Sequence, residues 1–393
     1  MACVISAPLW VLIMQCLLGF LPARSRAKMD QEMASLAVLV PAHNEEAVIG
    51  ATLDSLKAAM TDHARIVVIA DNCTDRTADI VREHGADVLE REDAVNRGKG
   101  FALAAGLASI GSDPPQIVVI VDADCEVSAN TLTDLARAAQ NTGRPVQGVY
   151  LLRAPDTHDP KAVISAFAFM IKNQARPRGM DLLSLPIPLT GSGMAFPYSL
   201  IKQANLATCN IVEYLALGLE LVEQGHDPVL CDAARITGSL PDAGDAAVTQ
   251  RTRWEHGYLS TLLSTTPRLF VKGVFKMKPS LIAAAVDLVI PPLSLLVLGA
   301  LAALVAASVI GWWITAFGPA ALIAGSLALA GLILICCWVV YARKWLPLGA
   351  ALAIPGYILW KLPIYMKFLS GRAKRWVRTD RGPGPADKGP SDG

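Results

Sequence analysis

Gln116-Ile-Val-Val-Ile-Val-Asp122-Ala-Asp124 decides how the rest of the chain is read. Five apolar β-branched residues run without a break into two acids spaced i, i+2. A short apolar run of this kind reads as a strand buried on both faces, as in a parallel sheet. Ligands of open α/β sheets gather at the carboxyl ends of the strands. Residues i and i+2 of an extended segment point the same way, so Asp122 and Asp124 can face one ligand there. Two carboxylates on one side suit a hard divalent cation carrying a diphosphate. A solvated strand end followed by an acidic turn fits these nine residues alone equally well.

Working outward, the same grammar repeats. Leu36-Ala-Val-Leu-Val40 and Arg65-Ile-Val-Val-Ile-Ala70 read as buried strands, Ala86–Glu90 as a further one. The first ends in Pro41-Ala-His-Asn-Glu-Glu46, with a helix from there to about Met60. The second turns at Asp71-Asn-Cys-Thr-Asp75, where Thr74 or Asp75 can cap the next helix. Arg97-Gly-Lys-Gly100 opens a helix reaching about Ser109. Strands alternating with helices of this length predict an α/β domain with a doubly wound, mostly parallel sheet. Downstream the alternation loosens. Val146–Leu152 reads as a strand and Pro160–Ala175 as an amphipathic helix; Arg176-Pro-Arg-Gly and Leu185-Pro-Ile-Pro read as irregular. Thr190–Phe196 is a Gly-rich loop, and Asn210–Gln224 and Asp245–Leu263 carry helical periodicity.

The 393-residue chain is 53% apolar, above what a soluble protein of ordinary composition carries, and the excess lies at its two ends. Ala2–Leu21 is uncharged, and Arg24, Arg26 and Lys28 follow it. A signal peptide places its charge before the apolar core. Residues 1–28 therefore read as a retained membrane anchor whose basic flank keeps the next domain in the cytoplasm. Two further apolar stretches, Leu288–Ile310 and Ala320–Tyr341, make a transmembrane pair within 281–345. Residues 346–381 hold an apolar stretch broken by Pro347, Pro355 and Pro363, with Lys361, Lys367 and a basic flank. An interfacial or re-entrant segment keeps that flank inside. The Gly/Pro-rich end, 382–393, reads as a disordered tail. A net charge of +1 says nothing about nucleic acid, but the lack of a basic, aromatic-interleaved stripe argues against it. Eight cysteines without a CxxC pair argue against a disulfide framework and structural zinc.

Four features stand in order: Pro41-Ala-His-Asn-Glu45, Ala70-Asp-Asn-Cys-Thr-Asp75, Asp122-Ala-Asp124 and Gln250-Arg-Thr-Arg-Trp254. As an ordered set over residues 36–265, they resemble the family 2 inverting glycosyltransferases. The processive branch of cellulose, chitin and hyaluronan synthases is similar, with bacterial exopolysaccharide glycosyltransferases nearest. The resemblance implies a nucleotide-diphospho-sugar transferase (GT-A-like) fold between N- and C-terminal transmembrane helices. It implies that Pro41, Ala42 and Glu45 line the nucleotide pocket, that Asp71 meets the base, and that Lys99 sits near the donor. Asp122 and Asp124 would meet the sugar diphosphate, Asp124 through Mg²⁺ or Mn²⁺. The bland alternatives are a capping Asp71 and a solvated, helix-opening Lys99.

Gln250, Arg253 and Trp254 share one helix face by their i, i+3, i+4 spacing. Arg253 offers a bidentate fork for a diphosphate, and Trp254 a flat platform for an acceptor sugar. A core-facing Trp beside a surface Arg is the plainer alternative. The implied partners are a nucleotide-sugar donor, a glycan or lipid-linked acceptor, membrane lipids, and export partners for a polysaccharide product.

One departure stands out. Inverting transfer needs a base for the acceptor hydroxyl, which the family supplies as the Asp of a Glu-Asp pair. Here that pair reads Glu213-Tyr214. A tyrosine, with an ordinary pKa of about 10, is a poor base at neutral pH. Either Glu213 serves instead, or the position has been altered, or the chain is a donor-binding subunit with little turnover. A transporter or channel is disfavoured, because the two firm spans hold no charge beyond Asp287 at their border.

Overall fold

Strands form where β-branched runs can be covered on both faces. The computed structural model describes residues 2–22, 32–60, 62–207, 213–240 and 245–370, excepting the side chains of 245–247 and 250. β1 (Leu36–Ala42), β2 (Ala64–Asp71), β3 (Asp87–Arg91) and β4 (Ile117–Ile120) pair in parallel in the spatial order β3-β2-β1-β4. Val38, Val40, Val68, Val119 and Ile120 are fully buried; each side chain of this size removed from water contributes ~1.5–3 kcal/mol. Beyond β4, strands β5 (Cys125–Val127), β6 (Val146–Arg153), β7 (Met194–Pro197) and β8 (Val229–Ser239) continue the sheet as β4-β7-β6-β8-β5. β7 runs antiparallel to both neighbours, β5 antiparallel to β8, and β6 parallel to β8. The fold is α/β and GT-A-like, with its parallel character concentrated in β1–β4. Part of the expected Gly-rich loop is thus strand β7.

Helices cover both faces of the sheet. After α1 (Ala2–Gly19), α2 (Ile49–Ala58), α3 (Thr77–Glu83), α4 (Lys99–Ser109), α5 (Thr131–Thr142) and α6 (Pro160–Met170) follow in turn. Next come α7 (Arg176–Leu182), α8 (Tyr198–Ile201), α9 (Glu213–Gln224), α10 (Asp245–Phe275) and α11 (Pro279–Leu288). α12 (Leu293–Ile314), α13 (Gly318–Cys337) and α14 (Ile354–Leu369) complete the chain. α2, α3, α5 and α6 pack with Val38 and Val40 on one face; α4, α8 and α9 pack with Ala37 and Leu39 on the other. Alternate residues of β1 therefore feed two cores, which is what a doubly wound sheet requires.

Arg176-Pro-Arg-Gly, expected to be irregular, is the start of α7. Ile171–Ala175 winds as a π turn that carries α6 into α7. Pro177 falls in the first turn of the new segment, where a missing N–H costs little. Gly179 is needed for packing: a Cβ there would lie 1.9 Å from the Gln15 carbonyl oxygen of α1. The first helix is thereby held flush against the domain.

Ala2–Gly19, Leu293–Ile314, Gly318–Ala342 and Leu348–Leu369 are each long and apolar enough to cross a membrane. Leu348–Leu369 is the least apolar, with a mean hydropathy of 1.3 against 2.0 to 2.6 for the others. The basic flank at 24–28, residues 371–381 and the tail 382–393 lie outside the described residues.

Candidate active site

The ends of β1 and β2 lie side by side, Ala42 opposite Ala70, and put Pro41, Ala42 and Asp71 on one rim. Asp71 is buried. Its Oδ1 accepts from Arg91 Nη1 at 2.5 Å and from Asn72 Nδ2 at 3.0 Å. Arg91 also reaches Asp93 at 2.9 Å, so one guanidinium ties two acids of neighbouring loops. Asn44 and Asn72 hold φ of 55° and 54°, a left-handed conformation asparagine tolerates better than most residues. That curl turns Asn44 onto Thr74, whose N–H donates to Asn44 Oδ1 at 2.7 Å. The half-buried Glu45 is placed by its own N–H, which donates to Thr77 Oγ1 at 2.9 Å.

Next to this rim β4 ends at Ile120, one residue before the apolar run itself ends at Val121. Asp122 and Asp124 therefore share a side through a turn, closed by Cys125 N–H to Asp122 O at 3.2 Å, and not through the pleat of a strand. Asp122, Asp124 and Cys125 offer one ligand atom each, all within 4.8 Å of one another. Burial, then the charges of Asp124 and Asp122, push the Cys125 thiol well above its ordinary value. The carboxylates are the donors left for a hard cation, and oxygen ligands suit Mg²⁺ or Mn²⁺.

Lys99, the first residue of α4, binds the Asp122 carboxylate and donates to Gly191 O at 2.7 Å. Burial pulls its pKa down, but Asp122 and then Glu213 outweigh that and hold it above the ordinary value.

Glu213 and Tyr214 open α9. Burial raises the Glu213 carboxyl, opposed by Lys99 and more weakly by Arg253. Burial also drives the Tyr214 hydroxyl far up, with Glu213 adding to it. The Tyr214 ring packs against Gly191 and lines a cavity of about 20 Å³ with Leu103, Ile120, Met194 and Leu217. Lys99, Asn205 and Glu213 line the same cavity, so the ring packs on apolar side chains with charged groups close beside it. Arg253 of α10 acts electrostatically on both Glu213 and Tyr214. Trp254 is half-buried beside Phe169, with ring centroids 6.0 Å apart. Phe169 meets Tyr150 edge-on at 5.3 Å, and the Tyr150 hydroxyl lies 3.7 Å from Cys125 Sγ. An aromatic relay thus joins Trp254 to the Asp-Ala-Asp turn. Gln250 lies on α10, but its side chain is outside the described residues.

The sequence pattern known as Glycosyl transferase family group 2 matches residues 117–362, more than half of the chain, and that of Glycosyl transferase family 2 matches residues 37–195. The chain belongs to glycosyl transferase family 2. Among curated relatives of this family 2 chain, the probable glycosyltransferase YdaM of Bacillus subtilis is 26% identical over 262 residues, 63% of this chain and 60% of that protein. A dolichyl-phosphate hexose transferase of Haloferax volcanii is 36% identical over 91 residues, 23% of this chain and 36% of that one. The chain thus spans less than two thirds of the length of these relatives. Among solved structures, the mannosyltransferase PcManGT from Pyrobaculum calidifontis, in complex with GDP-Man and Mn²⁺, superposes with a TM-score of 0.57. The superposition covers 94% of this chain and 97% of that one at 20% identity, a likeness of fold.

Three residues that support the site of this family 2 chain escape a reading of the sequence. Ser192 Oγ accepts the Asp122 N–H at 3.1 Å. Gln147 of β6, buried, donates to Ser192 O at 2.9 Å and accepts from Thr190 N–H at 2.8 Å, which fixes the Gly-rich loop. Arg91 closes the set. A lone glutamine in a strand and an arginine at a strand end carry no spacing signal; only the position of Ser192 inside Gly191-Ser-Gly193 hinted at a role.

Proposed function

We propose that the chain transfers a sugar from a nucleotide-sugar donor, with inversion, to a glycan or lipid-linked acceptor at the cytoplasmic face of a membrane, in the manner of the processive family 2 synthases. The observation that carries this reading is the convergence of Glu213, Lys99, Asp122 and Arg253 within electrostatic reach of one another, although they come from α9, α4, the turn after β4 and α10. The rim of Pro41, Ala42, Glu45 and Asp71 takes the nucleoside. Asp122 and Asp124 hold a divalent cation, which when bound neutralises charge on the departing diphosphate. Arg253 and Gln250 bind the diphosphate from the other side, and Trp254 carries the acceptor.

Glu213 takes the proton of the acceptor hydroxyl as its oxygen bonds to the anomeric carbon; the bond to the diphosphate breaks and the nucleoside diphosphate leaves. A carboxyl raised by burial is a better base than an ordinary one, and Tyr214 takes no part in the proton transfer. Leu348–Leu369 lies along the interface or re-enters, and export partners receive the product if it is a polysaccharide.

Radiolabelled-sugar transfer by the full chain in nanodiscs tests this. Glu213→Gln is expected to lose about 10²–10⁴-fold in rate, and Tyr214→Asp to gain. If both variants match the parent, the base is elsewhere. A donor-binding subunit is the second reading, motivated by Tyr214; nucleoside diphosphate release that depends on an acceptor excludes it.

A further inference from the structure

Among the described residues, one cation near the site has no counter-ion of its own. Lys172 projects from the π turn Ile171–Ala175, a kind of insertion often found at functional places in helices. Its half-buried ammonium lies 5.2 Å from the centre of the Tyr258 ring, its one directed contact among the described residues. The acids around it are committed elsewhere. Asp287 of α11 accepts from Arg176 at 2.7 Å and from Gln15 at 2.9 Å, and Glu255 of α10 is paired with Lys361 of α14 through Oε1, its Oε2 making no hydrogen bond among the described residues. Arg176, the charge of the same sign on its own segment, is spent on Asp287 and on Gln15 Oε1 at 2.8 Å. Burial, then Arg176, lowers Lys172 to about 8. A charge kept under those conditions costs stability, and an anion that arrives from outside relieves the cost.

The position is as informative as the charge. Phe169 and Lys172 stand i, i+3 on one segment; Trp254 and Tyr258 stand i, i+4 on the segment facing it. Phe169 packs on Trp254 and Lys172 over Tyr258. These are two rungs about one helical turn, ~5.4 Å, apart. The Tyr258 hydroxyl donates its one proton toward Ile290 O at 2.8 Å, with Leu288 O 3.2 Å away, immediately before α12. The Lys172 rung therefore lies between the Trp254 platform and the first apolar helix after the domain.

We infer that Lys172 seats the phosphate joining an acceptor's head sugar to its lipid, with that sugar on Trp254. The inference rests on Trp254 being the acceptor platform, as proposed above. The two rungs are about as far apart as one sugar ring reaches. Lysine binds phosphate as a point charge and needs no fork geometry, which suits a group approached from one side. An acceptor that is a bare lipid phosphate fits less well, because its phosphate would be the attacking group and would have to sit at the Asp-Ala-Asp turn.

The test uses the full chain in phosphatidylcholine nanodiscs, with dodecyl glucosyl phosphate and the uncharged dodecyl glucoside as probes, read by ligand-dependent Tm. In the parent, the phosphate-linked probe is expected to bind at least tenfold more tightly than the glucoside. Lys172→Gln should abolish that difference and Lys172→Arg should keep it. Without any ligand, Lys172→Gln should raise Tm, since a charge without a partner has been removed. Equal binding of the two probes by the parent, or an unaltered preference in Lys172→Gln, overturns the inference, as does a fall in Tm on that substitution. Inorganic phosphate displacing the lipid probe at equal concentration would make this a free-phosphate site and also overturn it. Stabilisation by nucleotide sugars with Mn²⁺ is followed in the same variants; its absence in the parent would sink the donor reading and is seen separately from the lipid arm.

Discussion

Two regions of the molecule handle charge in opposite ways. At the strand ends, Lys99 and Asp122 form an ion pair with 22% and 25% of their side chains still exposed. Where α1, α7 and α11 meet, Arg176 and Asp287 form another with only 8% and 9% exposed, closed over by Gln15. A pair with water at its side can exchange a partner for an incoming ligand at little cost. A sealed pair cannot, because any rearrangement strands a charge away from water. The first arrangement suits a binding site, the second a joint. The joint ties a membrane-length helix to the domain, so the strand ends can respond to a ligand while the frame stays put.

The largest effect is expected at the joint. Arg176→Met leaves Asp287 buried beside Gln15 without its cation, and losing one partner of a buried pair costs ~3–5 kcal/mol. Denaturant or thermal unfolding in detergent reads this directly. The double variant Arg176→Met, Asp287→Leu removes both charges and should recover most of the loss; a double variant as unstable as the single one would mean that shape, not charge, holds α1 to α7.

Asp124→Asn should do the reverse. Tm should stay near that of the parent, while sugar transfer falls by about 10²–10³-fold, the range set by losing one preorganised group at a developing charge. Excess Mn²⁺ should restore part of the rate if the lost function is cation binding. A large drop in Tm here would erase the distinction between site and joint.

The same contrast governs what the sequence shows. β1, β2 and β4 are legible because both of their faces are covered, and uninterrupted β-branched residues are the mark of that burial. The acids at their ends are legible for the same reason, since a charge at the close of such a run is conspicuous. β8 is not: Val-Leu-Cys-Asp-Ala-Ala-Arg-Ile-Thr-Gly-Ser holds no clean alternation, and its pairing with β6 shifts register between Gly148 and Val149. α7 was hidden by Pro177 and Gly179, which read as breakers until the π turn before them and the crossing of α1 are seen. The pairs Arg91–Asp71, Lys99–Asp122 and Arg176–Asp287 join residues 20, 23 and 111 positions apart. Such partners are chosen by topology, and no local spacing announces them.

The smallest effect sharpens the comparison from the donor side. Asp93 is held to a pKa of about 2 by the Asn96 N–H, the Asn96 side chain and the Val95 N–H. An unfolded aspartate titrates at about 3.9, so the folded loop binds the proton more weakly than the unfolded one. Its contribution to stability is complete above about pH 4 and drains away as pH falls through about 2. Asp93 also accepts from Arg91, whose other arm holds Asp71, so protonation loosens the clamp on the rim at the end of β2. Thermal unfolding between pH 6 and pH 3 should therefore show a shallower acid limb in Asp93→Asn than in the parent, with donor-induced stabilisation weakened in the variant even at pH 7. If the two limbs run parallel, the loop is not where acid first enters this side of the molecule, and the rim stays rigid without Arg91 being shared between two acids.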